Sequence, residues 1–189
     1  MNRDLRELLL WENECKSVFE LYKKCFLYPE VETQCNYRKA QYYMKSRNIL
    51  LKYWWQYKWL RIRKKTKCQV SLKADIGPGM CFLHDGPRIV IFGAKIGRLC
   101  KMGINVVVGL NRSAEGAPAE FPIIGDRVYI GHNSTIVGGV KVGNDVVIAS
   151  NAFVNRDVPD HSIVVGNNEI IHKHNPSLRF INRTDNYAK

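Results

Sequence analysis

The sequence predicts a mainly β protein, a parallel β-helix of six-residue repeats preceded by a helical region. The first observation is a period: an aliphatic residue stands at every sixth position between residues 122 and 154. A helix places apolar residues three and four apart, and a sheet strand rarely exceeds about eight residues without a turn. Short repeats that persist for this long are typical of stacked coils around one core. The anchors of the period are Ile124, Ile130, Ile136, Val142, Ile148 and Val154.

The second observation is the residue type beside each anchor. Gly125, Gly131 and Gly143 directly follow their anchors, and we expect them to adopt tight or positive-φ backbone at a corner. The fourth residue after each anchor is again small or β-branched. Each repeat is therefore predicted to be a short strand followed by a corner. These fourth residues are Val128, Ser134, Val140, Val146, Ala152 and Val158.

The third observation is that the period extends upstream and is interrupted once. The step from Val108 to Ile124 is not a multiple of six, which predicts that residues 109–121 form a loop outside the stack. We expect a helical, basic region over residues 1–69, the β-helix over 70–166 and a C-terminal tail over 167–189. The upstream anchors are Ile76, Phe82, Val90, Ile96, Met102 and Val108.

The positive charge is concentrated before the repeats. Residues 36–68 contain eleven Lys and Arg and no Asp or Glu, within a net charge of +12, and they lack the helix breakers Gly and Pro. Three interpretations stay open: peripheral contact with anionic lipid, nucleic-acid binding, or packing of Trp54, Trp55 and Trp59 on the coils. The sequence favours the third and argues against a nucleic-acid partner.

Composition argues against a membrane-spanning, secreted, zinc-binding or disulfide-bonded protein. No run of about 18 apolar residues and no secretory apolar core is present, so we expect a cytoplasmic protein, with membrane contact only at the inner face. The six cysteines lie far apart without a C-x-x-C pair. This spacing argues against zinc and disulfides and predicts reduced thiols that serve as small packing groups.

The candidate catalytic residue is His84. It lies between Phe82 and Val90, where the six-residue period is interrupted, and such an interruption can hold a side chain out of the core. Histidine is the usual general base at neutral pH. The alternative is a polar corner residue at the start of the stack.

Three segments carry a family resemblance: "ADIGPGMCFLHDGPRIVI", "GAPAEFPIIGDRVYIG" and "VVIASNAFVNRDVPDHSIVVG". Over residues 70–166 the chain resembles the hexapeptide-repeat acyltransferases and, within them, the serine acetyltransferase branch. The resemblance implies a left-handed β-helix, a homotrimer with sites between subunits, and acetyl-CoA as the acyl donor without a metal. His84 falls on the catalytic histidine of the family.

The same resemblance suggests contacts for CoA, whose pantetheine arm lies along the coils of adjacent subunits in this family. The matching positions are Leu110, Asn111, His132, Ala149 and Ser150. His132 stands where the branch often has Ala, so it either contacts CoA or fills space at the subunit interface. Lys173, between His172 and His174, is a candidate for the CoA phosphates.

The chain also departs from serine acetyltransferases. Leu83 replaces the Asp before the catalytic His, Gln69 falls near the Asp that orients it, and Phe121 replaces a second His. Asp85 is a candidate for the missing charge. We therefore predict an acetyl-CoA-dependent O-acetyltransferase acting on a sugar, closer to the capsular and exopolysaccharide enzymes, with L-serine as the alternative acceptor. A catalytically inactive scaffold is a third possibility, and a zinc carbonic anhydrase is disfavoured because no clustered His trio occupies the repeats.

Overall fold

The structure is a computed structural model that describes residues 3–84, 88–110 and 120–181. Within these residues, helices precede a long series of very short strands. The helices are α1 (Arg3–Glu12), α2 (Val18–Leu27), α3 (Pro29–Met44) and α4 (Ile49–Thr66). The strands are β1 (Gln69–Val70), β2 (Asp75–Ile76), β3 (Cys81–Phe82), β4 (Val90–Ile91), β5 (Lys95–Ile96), β6 (Lys101–Met102), β7 (Val107–Gly109), β8 (Ile123–Ile124), β9 (Tyr129–Ile130), β10 (Thr135–Val137), β11 (Lys141–Val142), β12 (Val147–Ile148), β13 (Phe153–Val154), β14 (Ser162–Val165) and β15 (Glu169–His172). A 3-10 turn follows at Pro176–Arg179.

The strands form three sheets, and as far as β13 every third strand along the chain belongs to the same sheet. One sheet has the order β1-β4-β7-β10-β13, the second β11-β8-β5-β2, and the third β15-β14-β12-β9-β6-β3. Only β15 pairs antiparallel among these strands, as the second arm of a hairpin with β14. This arrangement is a three-sided coil stack, and the predicted fold class, a left-handed parallel β-helix of hexapeptide repeats after a helical region, is confirmed.

Strand register shows where the coils are regular. Ile123 pairs with Lys141 and Tyr129 with Val147, so one coil contains eighteen residues in this part of the stack. The coil that contains His84 is longer, because Cys81 pairs with Lys101. The 109–121 loop lies between β7 and β8, and of this loop residues 111–119 are outside the described part of the chain.

Almost all the predicted anchors point into the core. Ile124, Ile130, Ile136, Val142, Ile148 and Val154 are buried, as are the upstream anchors other than Val90. The expectation for Val90 is wrong: it is partly exposed, and Ile91 is the buried residue of β4. Ile91 lies five positions before Ile96, so a count of six back from Ile96 reaches Val90. In a strand, a shift of one position turns the neighbouring side chain inward.

The glycines after the anchors have a different role from the one predicted. Positive φ occurs later in the corner, for example at Arg127, Asn133, Asp145 and Asn151, and not at the glycine that follows the anchor. At Gly125 an added Cβ would lie 2.7 Å from the carbonyl oxygen of Gly143 in the next coil. The glycine is needed because stacked corners approach closely, not because the backbone requires positive φ.

The helical region is joined to the coils by apolar packing. Trp59 and Tyr37 belong to the same buried cluster as the β-helix core, and Trp55 packs against that cluster. The prediction that tryptophans pack on the coils is therefore confirmed for Trp59 and Trp55, but it is wrong for Trp54, which is exposed. The helical conformation is interrupted between Met44 and Ile49. There the Asn48 side chain accepts a hydrogen bond from the Leu51 N–H and caps α4.

All six thiols are free, and three of them, Cys35, Cys68 and Cys100, are buried. Burial raises the pKa of Cys68 and of Cys100 to about 12, so both remain neutral packing groups. Within the described residues, no helix combines the length and apolarity needed to cross a bilayer.

Candidate functional site

His84 lies at the corner that follows β3, outside the core. Its side chain is exposed, and its backbone has a φ of 64°, in the left-handed region. Histidine is one of the few residues other than glycine that is enriched in this region. The interruption of the period therefore does place an imidazole at the surface of the coil stack, as the sequence predicts. Asp85, the neighbouring candidate, lies outside the described residues.

His132 lies beside His84, although 48 positions separate them in the numbering. His132 follows β9, and β6 lies between β3 and β9 in the sheet. The two ring centroids are 5.1 Å apart, and the planes are inclined by 37°. The fold thus brings two imidazoles together at one corner of the prism.

The absence of a side chain at Gly103, which follows β6, leaves room for the His132 ring to lie over the coil between the two histidines. A Cβ on Gly103 would lie 2.7 Å from His132 Nδ1, so any side chain there would occupy the space of the ring. The ring is also held by a hydrogen bond, because the Ile104 N–H donates to His132 Nδ1 over 3.0 Å. The position of His132 is therefore determined by the coil between the two histidines.

This hydrogen bond also determines which nitrogen of His132 carries the proton. Nδ1 accepts the Ile104 N–H, so it must offer a lone pair, and the neutral ring then bears its hydrogen on Nε2. A neutral imidazole with its N–H on Nε2 can donate to an oxygen, and a neighbouring imidazole can act as a base. The pair combines the two functions that acyl transfer to a hydroxyl requires, a base and a hydrogen-bond donor.

Ala149 and Ser150 lie on the same edge, one coil beyond His132. Both follow β12, and the Asn151 N–H donates to the His132 carbonyl oxygen over 2.8 Å. Ala149 is partly buried and Ser150 is exposed. A small residue followed by an exposed hydroxyl leaves room for a ligand to approach the backbone.

The remaining predicted contacts are not on this edge of the same chain. Leu110, partly buried, follows β7 in a different sheet, and Asn111 is outside the described residues. Lys173 is exposed after β15, beside the start of β14, and its N–H donates to the His161 carbonyl oxygen. The structure therefore groups His84, His132, Ala149 and Ser150 and separates Leu110 and Lys173 from them.

The residues that depart from the serine acetyltransferase pattern are either apolar, as Leu83 and Phe121 are, or lie on another strand, as Gln69 does. Leu83 is partly buried directly before His84, and Gln69 is exposed on β1. Phe121 packs against Phe92 with ring centroids 6.2 Å apart. Among the described residues, no group of three or more His, Cys, Asp or Glu side chains is placed to hold a metal ion.

The structure contains two polar networks that the sequence analysis did not predict. Asp145 accepts hydrogen bonds from the Ser177 hydroxyl and pairs with His161 Nδ1 at 2.7 Å. Burial alone would raise the pKa of Asp145, but these hydrogen bonds outweigh it and the pKa is lowered. The other network is the buried Glu12–Arg38 pair between α1 and α3. Both networks join residues that are far apart in the chain. In the sequence, the only indication of either network was a carboxylate among apolar positions.

A groove in the described part of the chain lies away from the two histidines. It is formed by α1, the end of α3 and the first coil, and Leu5, Arg38, Tyr42 and Asp75 are part of its lining, whereas His84 and His132 are not. His84 is exposed and His132 is partly exposed, so their corner lies at the surface of the single chain.

Part of the β-helix matches the model of a known protein family. Residues 121–156 match the family described as bacterial transferase hexapeptide (six repeats). This part of the β-helix, which contains His132, is therefore similar to hexapeptide-repeat transferases.

The chain is also similar to serine acetyltransferases over about half of its length. It is 34% identical over 99 residues to the serine acetyltransferase of Mycobacterium tuberculosis, covering 49% of this chain and 42% of the relative. It is 38% identical over 85 residues to the Bacillus subtilis protein named "putative acetyltransferase YvoF", covering 41% of this chain and 47% of that protein. The chain therefore covers less than half of the length of these two relatives.

A solved structure extends the likeness to the helical region. The serine acetyltransferase of Brucella abortus superimposes with a TM-score of 0.70 at 20% identity, covering 90% of this chain and 68% of that one. At this identity the likeness concerns the fold, and it includes the helices before the coils as well as the coils themselves.

Proposed function

We propose that this protein is an acetyl-CoA-dependent O-acetyltransferase in which His84 is the general base. The observation that carries the proposal is the exposed imidazole of His84 at an interrupted corner of a transferase-type β-helix, with the His132 ring 5.1 Å away. The relatives support the acetyl group as the group transferred, since they are named acetyltransferases.

The reaction needs one base and one oxyanion donor. His84 takes the proton of an acceptor hydroxyl as its oxygen attacks the thioester carbonyl, and the C–S bond breaks as the tetrahedral intermediate collapses. The protonated His84 then returns the proton to the departing thiolate. The negative charge on the carbonyl oxygen requires a nearby N–H, and His132 Nε2 or a backbone N–H of the coils can supply it.

We propose Ala149 and Ser150 as contacts for CoA on the edge that carries the histidines. His132 belongs to the same group. Leu110 and Lys173 lie away from this edge within one chain, so we propose that they complete the site from a neighbouring subunit of a homotrimer. Asn111 stays a predicted contact. The open corner in the single chain is consistent with this assembly, because a second chain would supply the other wall.

The relatives favour L-serine as the acceptor, because the similar proteins with a stated substrate are serine acetyltransferases. A sugar hydroxyl in surface polysaccharide synthesis is the second candidate. It is supported by Leu83, an apolar side chain directly before His84, and by Gln69, which offers no carboxylate to a free amino group. In both cases the chemistry at His84 is the same.

The deciding experiment is an acetyl-transfer assay with acetyl-CoA and either L-serine or a panel of sugars and oligosaccharides. Thiol dyes would also react with the partly exposed cysteines Cys15, Cys25 and Cys81, so product CoA is separated by chromatography. We expect turnover that falls about 100-fold or more in His84→Ala. The matched control is His174→Ala, at another exposed histidine.

Three results separate the alternatives. Turnover with serine alone identifies that acceptor, and turnover with sugars alone identifies the second candidate. Absence of turnover with every acceptor, or equal rates in wild type and His84→Ala, contradicts the proposal and favours an inactive scaffold.

A further inference from the structure

We propose that the outer face of α4 binds the surface of an anionic lipid bilayer. This face consists of Leu50, Tyr53, Trp54, Tyr57 and Leu60, which share one side of the helix at three- and four-residue spacing. Leu50 is 82% exposed and Trp54 53% exposed, and the other three are also exposed. A helix side with two leucines, two tyrosines and a tryptophan in water is an interaction surface rather than a solvated face.

The opposite side of α4 is already occupied. Trp59, Ile62 and Thr66 are buried against α3 and the coils, and the Trp55 ring stacks on Tyr43 with centroids 5.8 Å apart. The helix therefore has two apolar sides, and only one of them is needed for folding. A surface helix of a globular protein normally presents polar residues opposite its buried stripe.

Cations surround the outer face. Lys58 Nζ lies 5.3 Å from the ring centroid of Trp54, and Arg61 and Lys64 continue the exposed side toward the end of the helix. Lys65 is paired with Glu32 at 3.6 Å, but both partners are well exposed and the pair is weak. No acidic residue occurs between residues 36 and 68. Aromatic rings suit the depth of lipid headgroups, and lysine and arginine attract their phosphates.

The composition of the face favours a bilayer over two other occupants. Nucleic acid would use the aromatic rings and the cations, but it offers nothing to Leu50 and Leu60, which are aliphatic and cannot stack on bases. A second copy of this chain docked through the same face would bring two clusters of unpaired cations together. A bilayer accepts both the aliphatic and the cationic parts.

The proposal is tested by co-sedimentation of the full chain with phosphatidylglycerol vesicles and with phosphatidylcholine vesicles at low and high salt. We expect binding to phosphatidylglycerol, weaker binding to phosphatidylcholine, and a loss with salt. The apolar variant Leu50→Ser/Trp54→Ser and the charge variant Arg61→Glu/Lys64→Glu should each bind roughly tenfold more weakly.

The matched control is Phe19→Ser/Phe26→Ser on α2, where the two rings are 81% and 89% exposed but lie on a different helix. This variant should bind vesicles as the wild type does. Circular dichroism checks that each variant is folded, and light scattering reports its assembly.

Four results would overturn the proposal. These are no vesicle binding at low salt, equal binding to both lipids, α4 variants that bind like the wild type, or α4 variants that change the oligomer mass without any lipid binding. Binding of a nucleic-acid duplex that is lost in the α4 variants, without lipid binding, would assign the face to nucleic acid. None of these measurements depends on acetyl transfer.

Discussion

The imidazole of His132 lies over one coil of the β-helix, and its ring centroid is 5.1 Å from the ring centroid of His84. The contact depends on the missing side chain of Gly103 and on the hydrogen bond from the Ile104 N–H to His132 Nδ1. A histidine that only filled space would not need this bond. We propose that His132 contributes to the chemistry at His84.

The first prediction concerns His132. Replacing it by Ala should lower kcat/KM for acetyl transfer about tenfold, because the N–H donor next to His84 is lost. The stability should fall by no more than about 1.5 kcal/mol, the value of one neutral hydrogen bond. Steady-state kinetics and urea unfolding measure the two effects separately. His132→Asn is the control, since its amide oxygen can still accept the Ile104 N–H. Unchanged kinetics in both variants would assign His132 to packing alone.

The second prediction concerns the junction between helices and coils. Arg38 donates to Glu12 at 2.7 Å and to the carbonyl oxygens of Ile76 and Gly77, and the two side chains are 5% and 0% exposed. Arg38→Met should destabilise the protein by about 3–5 kcal/mol, because it leaves the Glu12 carboxylate buried without its cation. Urea unfolding measures this loss.

A matched control is available for this pair. Lys95 and Asp75 also form an ion pair, at 4.0 Å, but their side chains are 69% and 75% exposed. Lys95→Met should cost less than about 1 kcal/mol. If the two variants lose similar stability, the Glu12–Arg38 pair does not hold the helical region on the coils.

The third prediction tests the reason for the corner glycines. A Cβ on Gly125 would lie 2.7 Å from the Gly143 carbonyl oxygen, and backbone atoms cannot move away as a side chain can. Gly125→Ala should therefore destabilise the β-helix by about 1–3 kcal/mol. Gly109 is the control, because its added Cβ would meet nothing closer than 4.0 Å. Thermal unfolding compares the two, and equal stability would contradict close stacking of the corners.

The six-residue period was sufficient to predict the fold because each anchor reports its own environment. Ile130 or Val142 points inward whatever the rest of the chain does, so eleven of the twelve anchors were right. Val90 was wrong because the step from Ile91 to Ile96 is five residues, and a period of six gives no information about a shortened corner. Of the two conformations expected at the glycines, tight or positive-φ backbone, the positive φ was wrong for a similar reason. Approach between coils is a property of the stack, not of one repeat.

The site was predictable only in part. His84 was found because it interrupts the period, which is a local signal. Its contact with His132 was not predicted, because it depends on the stacking of three coils and on an empty position at Gly103. The C-terminal network around Asp145 was missed for the same physical reason, since His161 and Ser177 approach it only after the chain has coiled back.

The last prediction concerns pH and this network. Asp145 is buried, and hydrogen bonds from Ser177 and His161 hold its pKa below the ordinary value despite that burial. A carboxyl with a lowered pKa stabilises the fold above its unfolded pKa of about 4, and this contribution disappears as the pH falls through the folded pKa. Asp145→Asn should thus be about 1.5–3 kcal/mol less stable than the wild type at pH 7, the value of hydrogen bonds to a charged group, and the difference should shrink toward about pH 3. Urea unfolding at the two pH values measures it, with Asp75→Asn as an exposed control that should show little difference at either. A difference that persists unchanged in acid would mean that the Asp145 carboxylate does not stabilise the fold through its charge, and that only the shape of the side chain holds Ser177 and the C-terminal turn in place.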